Sequence, residues 1–182
     1  MLLNEIDFRD RATAICTNLG IAPDLIVQRG LSLWPEPAEL VTVAVNPAGQ
    51  SLQLAPAAAE AWQNLEQAAE RAGLKLYIVS AWRSIERQEA IFRRKLAQGI
   101  ALEQILLVNA PPGYSEHHSG CAIDIGTPGC LDLEEAFENT PAFHWLIDHA
   151  PAHGFELSFP RGNPFGYLYE PWHWRFVDSA AS

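Results

Sequence analysis

Two short stretches of the sequence bring together side chains that can hold a metal ion. The first, SEHHSGCAID, covers residues 115–124 and contains two histidines and two carboxylates, and the second, EPWH, covers residues 170–173. Imidazole and carboxylate are ligands that a divalent ion such as zinc accepts, and three protein ligands leave a fourth coordination position for water. Together the two stretches therefore indicate an open metal site of the catalytic type.

Taken one at a time, these residues have simpler explanations. Asp124 lies between two isoleucines, and a carboxylate buried in a strand can be satisfied by an arginine or by backbone amides as well as by a metal. His173 lies between two tryptophans and could be a hydrogen-bonded core histidine. His117 and His118 are adjacent, so in an extended chain they point to opposite sides and only one of them is expected to bind the ion. Only the combination favours a metal site.

The motifs resemble those of a known family. Ser-x-His-x-x-Gly-x-Ala-x-Asp followed by Glu-x-Trp-His is similar to the pattern of the VanY-type D-alanyl-D-alanine carboxypeptidases, which belong to a group of zinc peptidases that also holds D,D-dipeptidases, L,D-carboxypeptidases and phage endolysins. A third segment, SAWRS at 80–84 with Gln88, resembles the family's Ser-Gly-Tyr-Arg-Ser segment. Ala81 and Trp82 depart from that pattern, which leaves the shape of the substrate pocket open. The resemblance covers about residues 54–177.

The resemblance implies one zinc ion with His117, Asp124 and His173 as its ligands, and Glu170 as the catalytic base. Zinc lowers the pKa of bound water and polarises a carbonyl, and a nearby carboxylate can then accept a proton and pass it to the leaving amine. Pro171 favours extended geometry at Glu170, so the base and the third ligand need not follow helical spacing.

The resemblance also implies a substrate-contacting role for Arg83. A guanidinium can hold a peptide's terminal carboxylate through two hydrogen bonds or stabilise the developing oxyanion; a surface ion pair at a helix start is the alternative. Gln88 and Ser115 are candidate hydrogen-bonding groups for the peptide, with purely structural roles equally open.

The function that the resemblance implies is a metallo-carboxypeptidase that removes the terminal D-alanine from peptidoglycan peptides. A D,D and an L,D substrate differ only in the configuration of the penultimate residue, so an L,D-carboxypeptidase that trims murein tetrapeptides in cell-wall recycling is the first alternative. An endolysin is another. A non-catalytic binding module stapled by a metal is the last, and Glu170 argues against it, because a closed structural site has no use for a base.

The elements that must position these residues can be predicted from the pattern of the chain. Strands are expected at 74–83, in CAIDIG, in GFELSF and in WHWRFV, and helices at 57–72, at 85–99 with Ser84 as N-cap, at 101–108 and from Thr140 to before Gly154. Such grouping of strands and helices predicts an α+β domain with a central antiparallel sheet flanked by helices. The resemblance implies the zinc D,D-peptidase, or hedgehog-like, version of this fold.

The N-terminal part has a different pattern. The first thirty residues predict a helix followed by a loop that ends near Pro23, and LVTVAVN and SLQLAP predict a hairpin. We therefore divide the chain into an N-terminal helix and hairpin extension, 1–53, and a zinc D-Ala carboxypeptidase-like catalytic domain, 54–182.

Composition limits the partners. The 182 residues carry a formal charge of −10, which argues against nucleic acid or an anionic membrane, and no apolar stretch approaches the roughly 20 residues of a membrane span. The expected partner is a peptidoglycan-derived peptide, and oligomeric state is not indicated. The acidic N-terminal residues do not resemble a signal peptide, which favours the cytoplasm, or the periplasm if a leader was removed. Three cysteines predict no disulfide.

Overall fold

The computed structural model of the chain describes residues 2–178. Its helices and strands, in chain order, are α1 (Leu2–Asn18), α2 (Pro23–Gln28), β1 (Val41–Val45), β2 (Ser51–Leu54), α3 (Pro56–Arg71), β3 (Tyr77–Ser80), α4 (Ile85–Ala97), α5 (Leu102–Val108), β4 (Ala122–Gly126), α6 (Pro141–His149), β5 (Phe155–Leu157) and β6 (His173–Phe176). Short 3-10 turns cover Glu116–Ser119, Glu135–Asn139 and Ala150–His153. The ends of the predicted domain ranges, residue 1 and residues 179–182, lie outside the described residues.

The main sheet has four antiparallel strands in the order β3-β4-β6-β5. It confirms the predicted α+β class with a central antiparallel sheet. All five residues of β4 are buried, as expected of a strand that has a neighbour on each side. Helices α3 and α6 pack against the sheet, and their apolar side chains form its core together with Ile123, Ile125 and Trp174. Fully burying a side chain of this size stabilises the fold by about 1.5–3 kcal/mol.

Strand β3 is shorter than the predicted strand 74–83. The chain leaves the ladder with β4 after Ser80, because the next backbone donors find other acceptors. The N–H of Trp82 donates to the carbonyl of Gln53 in the hairpin, and the N–H of Arg83 donates to the carbonyl of His117. The segment 81–84 is therefore an irregular link between β3 and α4, and Ser84 caps α4 by accepting from the N–H of Arg87.

The N-terminal region forms a second, smaller apolar cluster. Cys16 of α1 and Leu19, just after the helix, pack with Phe92 of α4 and Ile105 of α5. Arg11 of α1 forms an ion pair with Glu86. The predicted hairpin is present as β1 and β2, a separate two-stranded sheet. Helix α2 begins at Pro23, where the predicted loop ends, and the sequence pattern predicts no element there. The division into an extension and a catalytic domain stays a prediction.

Within residues 2–178 no helix is both long and apolar enough to cross a bilayer.

Candidate metal centre and active site

The site is built first on a row of side chains that crosses the main sheet. Asp124 of β4 is directly opposite Ser80 of β3 on one side and His173 of β6 on the other. Residues opposite one another in antiparallel strands project from the same face, so the sheet register brings Asp124 and His173 together although they are far apart in the chain. The nitrogen Nδ1 of His173 lies 3.0 Å from Oδ1 of Asp124.

The third member of the cluster, His117, comes from the 3-10 turn that precedes β4. The turn ends at Gly120, whose φ of +69° is in the left-handed region that favours glycine. An added Cβ there would lie 2.9 Å from the backbone nitrogen of Ala55, and that nitrogen donates to the carbonyl of Gly120. The glycine thus allows the tight return that places Nε2 of His117 3.3 Å from Oδ2 of Asp124.

His117, Asp124 and His173 offer ligand atoms within 4.8 Å of one another, and all three residues are buried. Each imidazole has its second nitrogen engaged outside the cluster. Nδ1 of His117 is 2.8 Å from the carbonyl of Ala81, and Nε2 of His173 is 2.9 Å from Oε2 of Glu116. Donation of these outer N–H groups leaves one nitrogen of each ring directed at the cluster, which is the usual arrangement of ligating histidines.

The electrostatics of the cluster favour a cation. Burial alone would raise the pKa of Asp124, but the neighbouring His117 and His173 hold it well below its ordinary range. Burial alone would lower the pKa of His173, but hydrogen bonds to Asp124 and Glu116 raise it to about 10. Positive charge at this point is therefore stabilised by two carboxylates. Two imidazoles and a carboxylate are also a donor set that zinc accepts.

Glu170 lies beside the cluster. Its Oε2 is 3.9 Å from Nδ1 of His173, and its backbone is fixed by an N–H bond to the carbonyl of Phe159 and by the N–H of His173. Burial raises the pKa of the Glu170 carboxyl to about 7, with His173 opposing the rise and Asp124 adding to it. A carboxyl that titrates near neutral pH suits a general base.

A cavity of about 470 Å³ opens onto these groups. Its lining includes every residue that the sequence singles out for the site: Arg83, Gln88, Ser115, His117, Asp124, Glu170 and His173. Burial lowers the pKa of Arg83, and the charges of Asp124 and Glu170 oppose this. The side-chain nitrogen of Gln88 donates to the carbonyl of Ala110 at 2.7 Å, whereas its buried Oε1 has no hydrogen-bond partner within residues 2–178.

His118 lies outside the cluster of His117, Asp124 and His173. The expectation of opposite orientations assumed an extended chain, but His117 and His118 lie in a 3-10 turn. His118 is fully buried, its Nε2 accepts from the N–H of Gly113 at 3.1 Å, and its Nδ1 is 2.6 Å from the carbonyl of Arg83. Burial lowers its pKa to about 4. His118 is thus a neutral bridge between the loops that carry Arg83 and Ser115.

The profile of one known family matches residues 51–179 of the chain, and that family is described as VanY, D-alanyl-D-alanine carboxypeptidase. The match covers well over half of the chain and includes all the site residues above. The chain belongs to the VanY family. Among curated members, the putative carboxypeptidase YodJ of Bacillus subtilis (strain 168) is 36% identical over 131 residues, which are 69% of this chain and 46% of YodJ.

Solved structures of related proteins have the same fold. The LD-carboxypeptidase LdcB has a TM-score of 0.70 and 33% identity, with 80% of this chain and 72% of LdcB covered. VanYB in complex with D-alanine-D-alanine has a TM-score of 0.61 and 28% identity, covering 81% and 83%. A mutant of the vancomycin resistance D,D-pentapeptidase VanY, in complex with Zn(II), has a TM-score of 0.60 and 27% identity, covering 81% and 85%.

The zinc complex of this VanY relative and the His-Asp-His cluster of this chain together support Zn²⁺ as the cofactor. The chain spans less than half the length of YodJ, so the activity and substrates of whole relatives come to this chain only as proposals. The individual roles of the seven site residues also stay predictions.

Two residues of the site carry contacts that the sequence analysis did not assign. Glu116, within the first motif, binds His173 through one carboxylate oxygen and accepts from Nε of Arg175 at 2.9 Å through the other. A usable signal existed, because ligating histidines commonly donate their second N–H to a carboxylate and Glu116 is the unassigned carboxylate of the motif. No comparable signal pointed to Arg175.

Proposed function

We propose that this chain is a zinc-dependent carboxypeptidase that hydrolyses the terminal D-alanine from peptidoglycan peptides. The observation that carries the proposal is the position of Glu170, a half-buried carboxyl 3.9 Å from one histidine of the cluster and in the lining of the same cavity. A site that only stabilised the fold would not need an open cavity and a base beside its ligands.

In this proposal His117, Asp124 and His173 hold the ion. When bound, zinc would supply Lewis acidity, which polarises a carbonyl and lowers the pKa of a bound water to about 7. Asp124 supplies the negative charge of the ligand set. The hydrogen bonds of Ala81 and Glu116 to the outer ring nitrogens fix the two imidazoles, so that the ligand atoms need little rearrangement.

Glu170 acts as the proton carrier. Its carboxylate accepts a proton from the attacking water and delivers it to the nitrogen of the leaving D-alanine, which leaves as an amine. Burial supports this role, because it makes the carboxyl a stronger base than an exposed glutamate. Oε2 of Glu170 lies 3.9 Å from Nδ1 of His173, which is too far for a hydrogen bond. The carboxylate is therefore able to turn toward a substrate.

Three further residues of the cavity lining are assigned to the substrate. Arg83 is a half-buried cation of the cavity lining that interacts electrostatically with Asp124 and Glu170. We assign it to the terminal carboxylate or the developing oxyanion. The Oε1 of Gln88, which has no hydrogen-bond partner among the described residues, can accept an N–H of the peptide, and the buried Ser115 of the cavity lining offers a hydroxyl. These groups support recognition of a free chain end.

The decisive experiment combines metal removal with substitution of the base. The wild-type protein should lose turnover of D-Ala-terminated peptides in a chelator and regain it with zinc. Glu170→Gln should keep its zinc and lose about 100- to 10,000-fold in kcat, whereas Glu156→Gln, an exposed glutamate of β5, should retain wild-type rates. Turnover by Glu170→Gln at the wild-type rate would remove Glu170 from its role. No turnover by zinc-loaded wild type on any D-Ala-terminated peptide would overturn the proposal in favour of a metal-stapled binding module.

An L,D-carboxypeptidase acting on murein tetrapeptides is the second candidate, and the similarity to LdcB supports it. The ion and Glu170 act on either bond. Mass spectrometry of matched pentapeptides ending in D-Ala-D-Ala and tetrapeptides ending in an L-centre followed by D-Ala, incubated side by side, distinguishes the two. The cytoplasmic location also stays a prediction, which fractionation of the source cells would test.

A further inference from the structure

A segment outside the region matched by the family profile is fastened to the active site. We call residues 29–36 the N-terminal strap. Its Arg29 donates to the carbonyl of Leu106 at 2.8 Å, the N–H of Trp34 donates to the carbonyl of Gly113 at 2.9 Å, and a carboxylate oxygen of Glu36 accepts from the N–H of Ile85 at 2.7 Å. The strap therefore contacts α5, the loop before Ser115 and the start of α4.

One contact of the strap leads to the metal cluster. The ring of Trp34 lies under the guanidinium of Arg175, with 5.2 Å from Cζ to the ring centroid. Nε of Arg175 donates to Oε1 of Glu116 at 2.9 Å, and Oε2 of Glu116 is 2.9 Å from Nε2 of His173. The side chains of Trp34, Arg175, Glu116 and His173 thus form a continuous series of contacts from the strap to a predicted zinc ligand.

The exposure of these groups decides which of them needs support. The side chains of His173 and Glu116 are 4% and 10% exposed, whereas that of Arg175 is 25% exposed. Of these three side chains, Arg175 therefore has the most freedom to turn into solvent. It contacts Glu116 through a single hydrogen bond, donated by Nε. An aromatic face against the guanidinium restricts that freedom and adds a cation–π attraction.

Building on the zinc site of the proposed function, we propose that Trp34 is a positioning residue for His173, acting through Arg175 and Glu116. Trp34 keeps the guanidinium over the carboxylate, and the carboxylate keeps the ring of His173 turned so that Nδ1 faces the cluster. Loss of an outer hydrogen-bond partner of a ligand typically weakens metal binding about 10- to 100-fold. The strap thereby belongs functionally to the metal site.

The test is zinc affinity, measured without substrate by competition with a chromophoric chelator. Trp34→Ala should weaken zinc binding about two- to five-fold, Trp34→Phe should restore most of it because a ring face remains, and Arg175→Met should weaken it about 10-fold. Trp145→Ala is the matched control, since Trp145 is also half-buried but stacks on His149 of α6. It should leave zinc affinity unchanged.

A double variant separates positioning from general loss of stability. If Trp34 acts through Arg175, Trp34→Ala should add nothing to the zinc affinity of Arg175→Met, whereas independent structural effects would add. Circular dichroism of each metal-free variant reports folding separately. Wild-type zinc affinity in Trp34→Ala, or full additivity in the double variant, would overturn the proposal. Because substrate is absent, either result leaves the carboxypeptidase proposal intact, and a zinc-binding protein without turnover would overturn only that proposal.

Discussion

The two walls of the active-site cavity are held in position by different means. On the sheet wall, Asp124 and His173 face each other through the backbone ladder of β4 and β6. On the helical wall, Arg83 and Gln88 lie on an irregular link and on α4, which are supported by Glu36, by the bridging His118 and by packing against α1. The metal cluster thus depends mainly on strand register, to which our proposal adds the contacts that lead from Trp34 to His173. The wall that carries Arg83 and Gln88 depends on side-chain contacts with the N-terminal region.

This difference shows that one cavity can have one wall fixed by backbone hydrogen bonds and another wall fixed by side-chain contacts. The backbone of a ladder position is held by several hydrogen bonds, so a single side-chain change elsewhere hardly moves that backbone, although it can still turn a side chain. A loop that is held by a few side chains moves when one of them is lost. Substitutions on the two walls should therefore have separable effects, on metal affinity at the sheet wall and on local stability at the helical wall.

The largest effect is expected at the sheet wall. Asp124→Asn removes the only negative charge of the ligand set and leaves the fold's backbone ladder intact. Zinc affinity should fall by more than about 100-fold, which exceeds the loss typical of an outer hydrogen-bond partner. Metal analysis after dialysis against a weak chelator would measure it. The control is Asp132→Asn, because Asp132 is also a carboxylate with a hydrogen bond, to Tyr77, but lies outside the cluster; an equal loss of zinc there would contradict the assignment.

An intermediate effect is expected where the helical wall meets α1. Gly113 has a φ of +92°, and a Cβ at this position would overlap Cβ of Ala12. Gly113→Ala should therefore lower the free energy of unfolding by about 1–3 kcal/mol for backbone strain and by about 1–3 kcal/mol more for overpacking. Urea denaturation would measure both contributions together.

Gly99→Ala isolates the backbone contribution, because Gly99 has a φ of +80° and open space around it. Ala12→Gly should partly rescue Gly113→Ala, although glycine inside α1 costs about 1 kcal/mol by itself, and it should not rescue Gly99→Ala. Equal costs for the two alanine variants, or no coupling between residues 12 and 113, would contradict close packing of α1 on this loop.

The last prediction substitutes no residue and so changes neither zinc affinity nor stability; it tests the packing of α1 through the thiol of Cys16. Burial raises its pKa to about 12, and its Sγ lies 3.4 Å from the carbonyl of Pro112. At pH 8 alkylation should be on the order of 1000-fold slower than for an ordinary cysteine, since only the thiolate reacts. Peptide mapping after iodoacetamide treatment would compare Cys16 with the less buried Cys121 and Cys130. Rapid labelling of Cys16 would mean that α1 detaches from the helical wall.

The sequence was most informative where chemistry and register coincide. Alternating or β-branched patterns identified β4 and β6, and the ligand-bearing motifs lie on or beside those strands, so the proximity of Asp124 and His173 followed once the strands were paired. The sequence also identified Ser84 as a helix cap, because a serine directly before an amphipathic segment can accept a hydrogen bond from a free N–H of the first turn.

Side-chain contacts between distant segments could not be predicted in the same way. The bonds of His118 to Gly113 and Arg83, and the approach of Trp34 to Arg175, join residues whose spacing in the chain has no periodic signature. The sequence did not predict the turn at 116–119, because the pattern around the two adjacent histidines favours an extended backbone. In the structure, Gly120 in the left-handed region ends this turn. Side-chain bridges between loops depend on the completed fold.

The ligand set has a mechanical consequence. An ion held by His117, Asp124 and His173 joins a turn and two neighbouring strands, and so it acts as a reversible cross-link between distant parts of the chain. Because the three side chains meet only in the folded chain, the ion would stabilise that state by an amount that rises with the concentration of free metal. The durability of the folded protein is thereby tied to the zinc level of its surroundings.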